Sequence, residues 1–160
     1  MTTRLQHDLT YDATPAAVAA MLRDPSFRER VCERQRVISH EVAIESVGDA
    51  ATIRVERVQA VSGLPAVATK IVGNEIDLVH EEKWRDLTDG DYGVRIPGKP
   101  GHISGTVTLR EDGEQTHETV TLEISVSIPF VGGKLEKIAL DLIKAALRTE
   151  HEIGVAYLAG

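Results

Sequence analysis

The chain has 160 residues, of which 42% are hydrophobic and only 4% are aromatic. This length and composition predict one globular domain spanning 1–160, with a core built from Val, Ile, Leu and Ala. The 25 acidic and 18 basic side chains give a net charge of −7. Such a charge disfavours nucleic acids and anionic membrane surfaces as partners, because both repel an acidic protein.

Cysteine content and hydropathy indicate the cellular compartment in which the protein is expected. Cys32 is the one cysteine of the sequence, so no internal disulfide can form and a reducing environment is expected. The first nine residues lack the apolar run of a secretory signal. No uninterrupted apolar stretch reaches the ~18 residues needed to cross a bilayer. We therefore expect a cytoplasmic protein without integral membrane contact.

The N-terminal quarter predicts a strand followed by two short helices. Apolar and polar residues alternate over 3–11, which is typical of a strand. Thr14-Pro15 and Asp24-Pro25 each join a capping side chain to a proline, and this pairing is typical of a helix start. The first helix is expected over 15–22 and the second from Pro25 to about Arg34.

The middle of the chain predicts six more strands, joined mostly by tight turns. Alternation favours strands over Val37–Val47, Ala51–Gln59, Asn74–Arg85, Asp91–Pro97, His102–Arg110 and Gln115–Ile128. Gly48-Asp49, Asp89-Gly90 and Asp112-Gly113 are typical of turns. Residues 66–72 fit either a short helix or an irregular crossing. Short turns between consecutive strands predict antiparallel neighbours.

A long amphipathic helix is predicted at the C-terminus. Pro129 ends the preceding strand, and apolar residues then recur at steps of three and four from Leu135 to Tyr157. About 25 helical residues would extend ~38 Å, so the apolar face needs a large partner. We predict an α+β fold in which a strongly curved antiparallel sheet of six to seven strands grips this helix. A pocket is expected in the gap between them.

This pattern resembles the START-like superfamily, also called the helix-grip or SRPBCC fold, over essentially the whole chain. The supporting stretches are the opening strand with 14–18, the segment 22–29, and the closing segment 128–136. The closing segment and Trp84 also resemble an uncharacterised bacterial branch known only as a domain of unknown function. The resemblance implies a cavity for lipids, sterols, polyketides or other apolar molecules. It implies no particular catalytic residue, since relatives include both carriers and cyclases.

Two short motifs suggest a phosphate-binding loop and a zinc site, but each lacks a residue that such a site needs. Residues 93–99 spell G-x-x-x-x-G-K, but Pro100 replaces the Ser or Thr that binds magnesium, and a strand follows instead of a helix. His-Glu occurs four times, yet the position four residues after each histidine never holds a second histidine. We therefore predict no metal site, no cofactor and no catalytic residue.

Polar residues on predicted inner strand faces are the main candidates for a site. They are His40, Arg57, His80, Glu82 and Tyr92, with Trp84 on the same face as His80. A buried charge without a partner costs several kcal/mol. These groups therefore lie at a bulge or in a core pair such as Arg57 with Glu82, orient a ligand in a wet pocket, or perform acid–base catalysis through His80 and Glu82.

Three functions remain open from the sequence. The first is a binding or carrier protein for a hydrophobic small molecule, and its ligand-binding residues would be His40, Arg57, His80, Glu82, Trp84, Tyr92, Leu142 and Ala146. The second is a cavity enzyme of the cyclase or hydrolase kind that uses His80, Glu82 or Arg57. The third is an interaction module that forms a homodimer through an exposed apolar patch.

Overall fold

A computed structural model of the chain describes residues 2–160, and these form seven strands and four helices. In chain order the elements are β1 (Thr3–Tyr11), α1 (Pro15–Leu22), α2 (Pro25–Arg34), β2 (Ser39–Val47), β3 (Ala50–Ala60), α3 (Ala66–Val72), β4 (Glu75–Trp84), β5 (Asp89–Arg95), β6 (His102–Asp112), β7 (Gln115–Ser125) and α4 (Gly132–Leu158). The predicted α+β helix-grip fold is confirmed.

The strands form one curved antiparallel sheet in the order β1-β7-β6-β5-β4-β3-β2. Consecutive strands from β2 to β7 pair with one another, including β3 and β4, which are connected through α3 and not by a short turn. The first strand instead pairs with the last, with Leu5 opposite Leu122. β1 and β2 therefore lie at opposite edges of the sheet, and α1 with α2 spans the distance between them.

Both short helices begin where the capping signals predict. Thr14 accepts a hydrogen bond from the Ala17 N–H at 3.2 Å, and Asp24 accepts one from the Ser26 N–H at 2.9 Å. Each proline that follows occupies a first-turn position, where its missing N–H leaves no bond unmade. The two helices bury Met21 and Phe27 against the core.

The long helix α4 lies over the concave face of the sheet but leans to one side. It packs against β1, β7, α1 and α2, and it makes far fewer contacts with β3, β4 and β5. Gly154 permits the close approach on the packed side, because a Cβ there would lie 2.7 Å from Cε1 of Tyr11. The other half of the concave face stays farther from the helix, and this asymmetry creates the cleft described below.

A buried carboxylate ties the start of α4 to the sheet. Glu136 accepts hydrogen bonds from the Thr3 hydroxyl and from the Val126 N–H, each at 2.9 Å. The bond from Val126 goes to this side chain and not to a neighbouring strand. This is why β7 ends at Ser125, three residues before the end predicted from its alternation at Ile128.

The predicted hairpin turn at Asp89-Gly90 is wrong, because both residues belong to β5. The chain turns at 85–88, where the Asp86 carboxylate accepts the N–H groups of Thr88 and Asp89 at 2.8 Å each. This side-chain-capped turn replaces the glycine turn. Gly90 is instead a packing residue, since a Cβ there would lie 3.0 Å from the Trp84 ring.

Candidate functional site

An open cleft separates α4 from the concave face formed by β3, β4 and β5. Its largest part has a volume of about 280 Å³. A second cavity of about 110 Å³ adjoins it beneath α3. The two share an aliphatic wall made of Val61, Ile76, Val94, Ile96, Ile103, Ala139 and Leu142. Leu142 leaves 52% of its surface exposed where the cleft opens.

The short helix α3 covers the apolar end of the cleft. It follows the break at 62–65, and its Ala68 is buried while Ile71 lines the smaller cavity. Ile128 and Leu135, at the start of α4, line the opposite side. Almost every side chain at this end is aliphatic, so the surface there has few groups that could hydrogen-bond to a ligand.

The opposite end of the cleft is polar. A further space of about 20 Å³ lies there, which is enough for about one water molecule. Its walls include Arg57 of β3, Gln35 after α2, Tyr92 of β5 and Glu150 of α4. One elongated cleft therefore runs from an aliphatic end to a polar end.

A buried ion pair joins α2 to β4 at the polar end, where Arg28 also lines the small space. The Arg28 guanidinium contacts both oxygens of Glu82 at 3.1 Å, and its Nε donates to the Leu22 carbonyl at 2.8 Å. The Trp84 indole N–H donates to Glu82 at 3.0 Å. The side chains of Arg28 and Glu82 are 3% and 0% exposed, so both depend on these partners for polar contacts.

His80 lies between this ion pair and the cleft. Its Nε2 is 2.8 Å from Oε2 of Glu82, although the two atoms are not aligned as a hydrogen bond. Its ring packs on the Tyr92 ring with 4.6 Å between centroids. Burial lowers the pKa of His80 despite the neighbouring Glu82 carboxylate. His80 is therefore neutral at neutral pH.

The buried carboxylates differ in protonation. Burial alone would raise the pKa of Glu82, but Arg28 and His80 outweigh it and lower that pKa to about 2. Burial raises the pKa of Glu150 to about 7, since Arg28 at 3.7 Å offsets it only in part. Burial, with Glu150 and Glu82 nearby, raises the pKa of Glu118 well above its ordinary range. Glu82 is thus ionised at neutral pH, Glu150 titrates near neutral pH, and burial favours the protonated form of Glu118.

We expect the Glu150→Gln variant to gain stability relative to the wild type as pH rises from 5 to 8. The folded-state pKa of Glu150 is raised, so its protonated form contributes stability below its unfolded pKa, and this contribution is lost as pH rises towards 7. Glutamine remains neutral, and the variant should exceed the wild type by about 1–3 kcal/mol at pH 8. Urea denaturation at four pH values measures this difference.

The matched control is Glu152→Gln, because Glu152 lies on the same helix with 60% of its side chain exposed. The difference between this control and the wild type should change little over the same pH range. His80 titrates in all three proteins, so its effect cancels in the comparison. Identical pH slopes for Glu150→Gln and the wild type would contradict a buried, titrating Glu150.

The structure separates the sequence-predicted candidates into three groups. Arg57, Tyr92, Leu142 and Ala146 line the part of the cleft that measures about 280 Å³, and His80 lines the small polar space. Glu82 belongs to the buried ion pair, Trp84 donates a hydrogen bond to Glu82, and neither residue lines any of these spaces. His40 is exposed and borders a separate groove towards the edge strand β2.

The suggested core pair of Arg57 with Glu82 is wrong, because Arg28 takes the place of Arg57. Sequence reasoning also missed Glu118 and Glu150. Glu150 stands three positions after Leu147 and three before Ile153, on the apolar stripe of α4. A carboxylate on that apolar stripe was the sequence signal that could have revealed Glu150. Glu118 likewise has the alternation of the inward-facing residues of β7, since it lies two residues before Val120.

Two kinds of site are absent from the part of the chain that the structure describes. Within residues 2–160, no three His, Cys, Asp or Glu side chains are grouped so that they could hold a metal ion. None of the helices in the same range is both long and apolar enough to span a membrane.

One family model and several curated proteins match this chain. Residues 6–158 match the model of a family described as a protein of unknown function, DUF2505. Uncharacterised proteins of Mycobacterium tuberculosis and Mycobacterium bovis are 31% identical over 99 residues. The match covers 57% of this chain and 57% of the length of those curated relatives.

Solved structures share the fold at low sequence identity. The Zhui aromatase/cyclase of a Streptomyces species aligns with a TM-score of 0.68 at 13% identity, over 98% of this chain and 93% of its own. Protein TTHA0849 of Thermus thermophilus aligns at 0.66 and 20% identity, over 97% and 99%. A START superfamily protein of Mycobacterium smegmatis aligns at 0.60 and 12% identity, over 97% and 98%. At these identities the likeness shows a START-like fold and no more.

Proposed function

The chain belongs to the DUF2505 family, and we propose that it is a binding protein for a small hydrophobic molecule held between the sheet and α4. The observation that carries this proposal is the aliphatic cleft beside α4, with spaces of about 280 and 110 Å³. Protein interiors are ordinarily close-packed. An unfilled apolar space of this size beside a packed core therefore favours a binding role.

The size and lining of the cleft indicate what it would hold. Ligand pockets usually measure roughly 300–1,000 Å³, so this cleft suits a small molecule rather than a large lipid. Burial of apolar surface contributes about 25 cal/mol per Å². An aliphatic or aromatic ligand would thus gain most of its affinity from the wall shared by the two cavities.

Binding is better supported than acid–base catalysis through Glu82 and His80 because of the state of these two groups. Arg28 holds Glu82 in its ionised form, with a pKa of about 2, so that carboxyl cannot act as a general acid at neutral pH. His80 is neutral and packed on Tyr92. These groups interact mainly with one another and are poorly placed for proton transfer.

Filling the shared wall should abolish ligand uptake. Ala139 lines both aliphatic cavities, so phenylalanine there occupies the space that a ligand needs. We expect Ala139→Phe to weaken binding of the fluorescent probe N-phenyl-1-naphthylamine at least tenfold, a loss of about 1.4 kcal/mol or more. A fluorescence titration measures the affinity, and circular dichroism checks that the variant is folded.

Ala156→Phe is the matched control, because Ala156 is an exposed residue of the same helix and lines none of the three spaces. Its probe affinity should equal that of the wild type. Failure of the wild type to bind the probe would overturn the proposal. Equal affinity in Ala139→Phe and the wild type would place any binding outside this cleft.

A further inference from the structure

Arg57 is a cation without an anionic partner at the polar end of the cleft. It is half-buried, and its Nε is inaccessible to solvent without a hydrogen-bond partner. Among residues 2–160, no carboxylate forms an ion pair with it, whereas Arg28 and Arg54 have two acidic neighbours each. The missing partner matters because an uncompensated charge in a partly desolvated site is costly.

A second unpaired polar group lies on the same wall. The side-chain oxygen of Gln35 is buried without a hydrogen-bond partner. Gln35 and Arg57 both border the main part of the cleft, of about 280 Å³, and the small polar space. Two unsatisfied polar groups therefore meet at one end of a cleft whose other end is aliphatic.

The nearby acidic groups do not replace the missing anion. Glu82 is held by the Arg28 guanidinium and by the Trp84 indole N–H. Glu150 lies 3.7 Å from Arg28 and is buried. Glu82 lies behind the polar end and Glu150 lines it, so an anion entering the cleft should carry a single charge.

Resting on the proposed function, we infer that the ligand is a monocarboxylic acid whose carboxylate binds Arg57 and whose apolar part occupies the aliphatic end. A guanidinium presents paired N–H donors that match the two oxygens of a carboxylate. The carboxylate would bind the part of the Arg57 guanidinium that borders the cleft and would supply the missing negative charge. Gln35 lies on the same wall, where its side-chain NH2 group can donate a further hydrogen bond to the carboxylate, while its unpaired oxygen can accept one from a hydroxyl group or a water molecule.

The test compares decanoate with 1-decanol, which share a ten-carbon chain and differ in the charged head group. Both are measured at pH 8 by displacement of N-phenyl-1-naphthylamine from the wild type. We expect decanoate to bind at least tenfold more tightly than decanol. Arg57→Met should reduce decanoate affinity at least tenfold and remove the preference for decanoate over decanol.

Arg54→Met is the matched control, because Arg54 lies on the same strand, pairs with Glu56 and Glu81, and points to the opposite face. It should bind both compounds as the wild type does. Arg57→Lys should keep a part of the preference for decanoate, and it tests the charge if the methionine variant folds poorly.

The outcomes distinguish the inference from the proposed function. If decanol displaces the probe and decanoate binds no more tightly, the cleft binds apolar molecules but the inferred role of Arg57 is wrong. A preference for decanoate that survives in Arg57→Met also contradicts the inference. If the wild type binds neither the probe nor either compound, both the inference and the proposed function fail.

Discussion

Replacing Arg28 by methionine is expected to lower the free energy of unfolding by about 3–5 kcal/mol, because it leaves a buried carboxylate without its cation. Both side chains of the pair are almost fully buried, and Arg28 contacts both oxygens of Glu82. The guanidinium also donates to the Leu22 carbonyl, which would lose this partner. Urea denaturation at pH 7 measures the change.

A control and a double variant separate charge from packing in this prediction. Arg30→Met changes an exposed arginine on the same helix, and its effect should be within about 0.5 kcal/mol. Arg28→Met combined with Glu82→Leu removes both charges, and it should be more stable than Arg28→Met alone. A cost below about 1 kcal/mol for Arg28→Met would show that the ion pair does not stabilise this junction.

Gly105→Ala is expected to cost about 3 kcal/mol or more, because the added methyl group has no space. A Cβ at position 105 would overlap the backbone carbonyl of Thr121 in the neighbouring strand. That strand is held on both sides, since β7 pairs with β1 and with β6. Backbone atoms cannot move aside as a flexible side chain would, so the effect should lie at or above the upper range for overpacking.

Gly93→Ala is the matched control, since Gly93 lies on the adjacent strand β5. A Cβ there would come no closer than 3.7 Å to its nearest neighbour, the Ile103 carbonyl oxygen. We expect its free energy of unfolding to change by less than about 1 kcal/mol. Thermal and urea denaturation of the two variants measure the contrast, and equal effects would be inconsistent with the packing around Gly105.

Local signals in the sequence predicted the helices and the faces of the strands well. Thr14-Pro15 and Asp24-Pro25 carry their own caps, so these helix starts need no tertiary information. Strand pairing is different, because alternation indicates a face and not a neighbour. The pairing of β1 with β7 therefore became visible only in the structure.

The site was predictable where a pattern revealed which face is buried. Alternation placed Arg57 and Tyr92 on the concave face, and helical spacing placed Ala146 opposite them. Neither pattern could reveal Arg28, because an arginine on a short helix is usually exposed to solvent and nothing in the sequence marks this one as buried. Its partner Glu82 lies 54 positions away, and such a pairing depends on the tertiary fold.

The most direct test of a binding cleft between the sheet and α4 is a methyl NMR titration of the isotope-labelled protein with decanoate. We expect the largest chemical-shift changes at Ile76, Ile103 and Leu142, which line the main part of this cleft. Val47 and Val155 are exposed away from the cleft and should remain unchanged. Shifts confined to those exposed valines, or no shifts at saturating decanoate, would contradict a binding cleft between the sheet and α4.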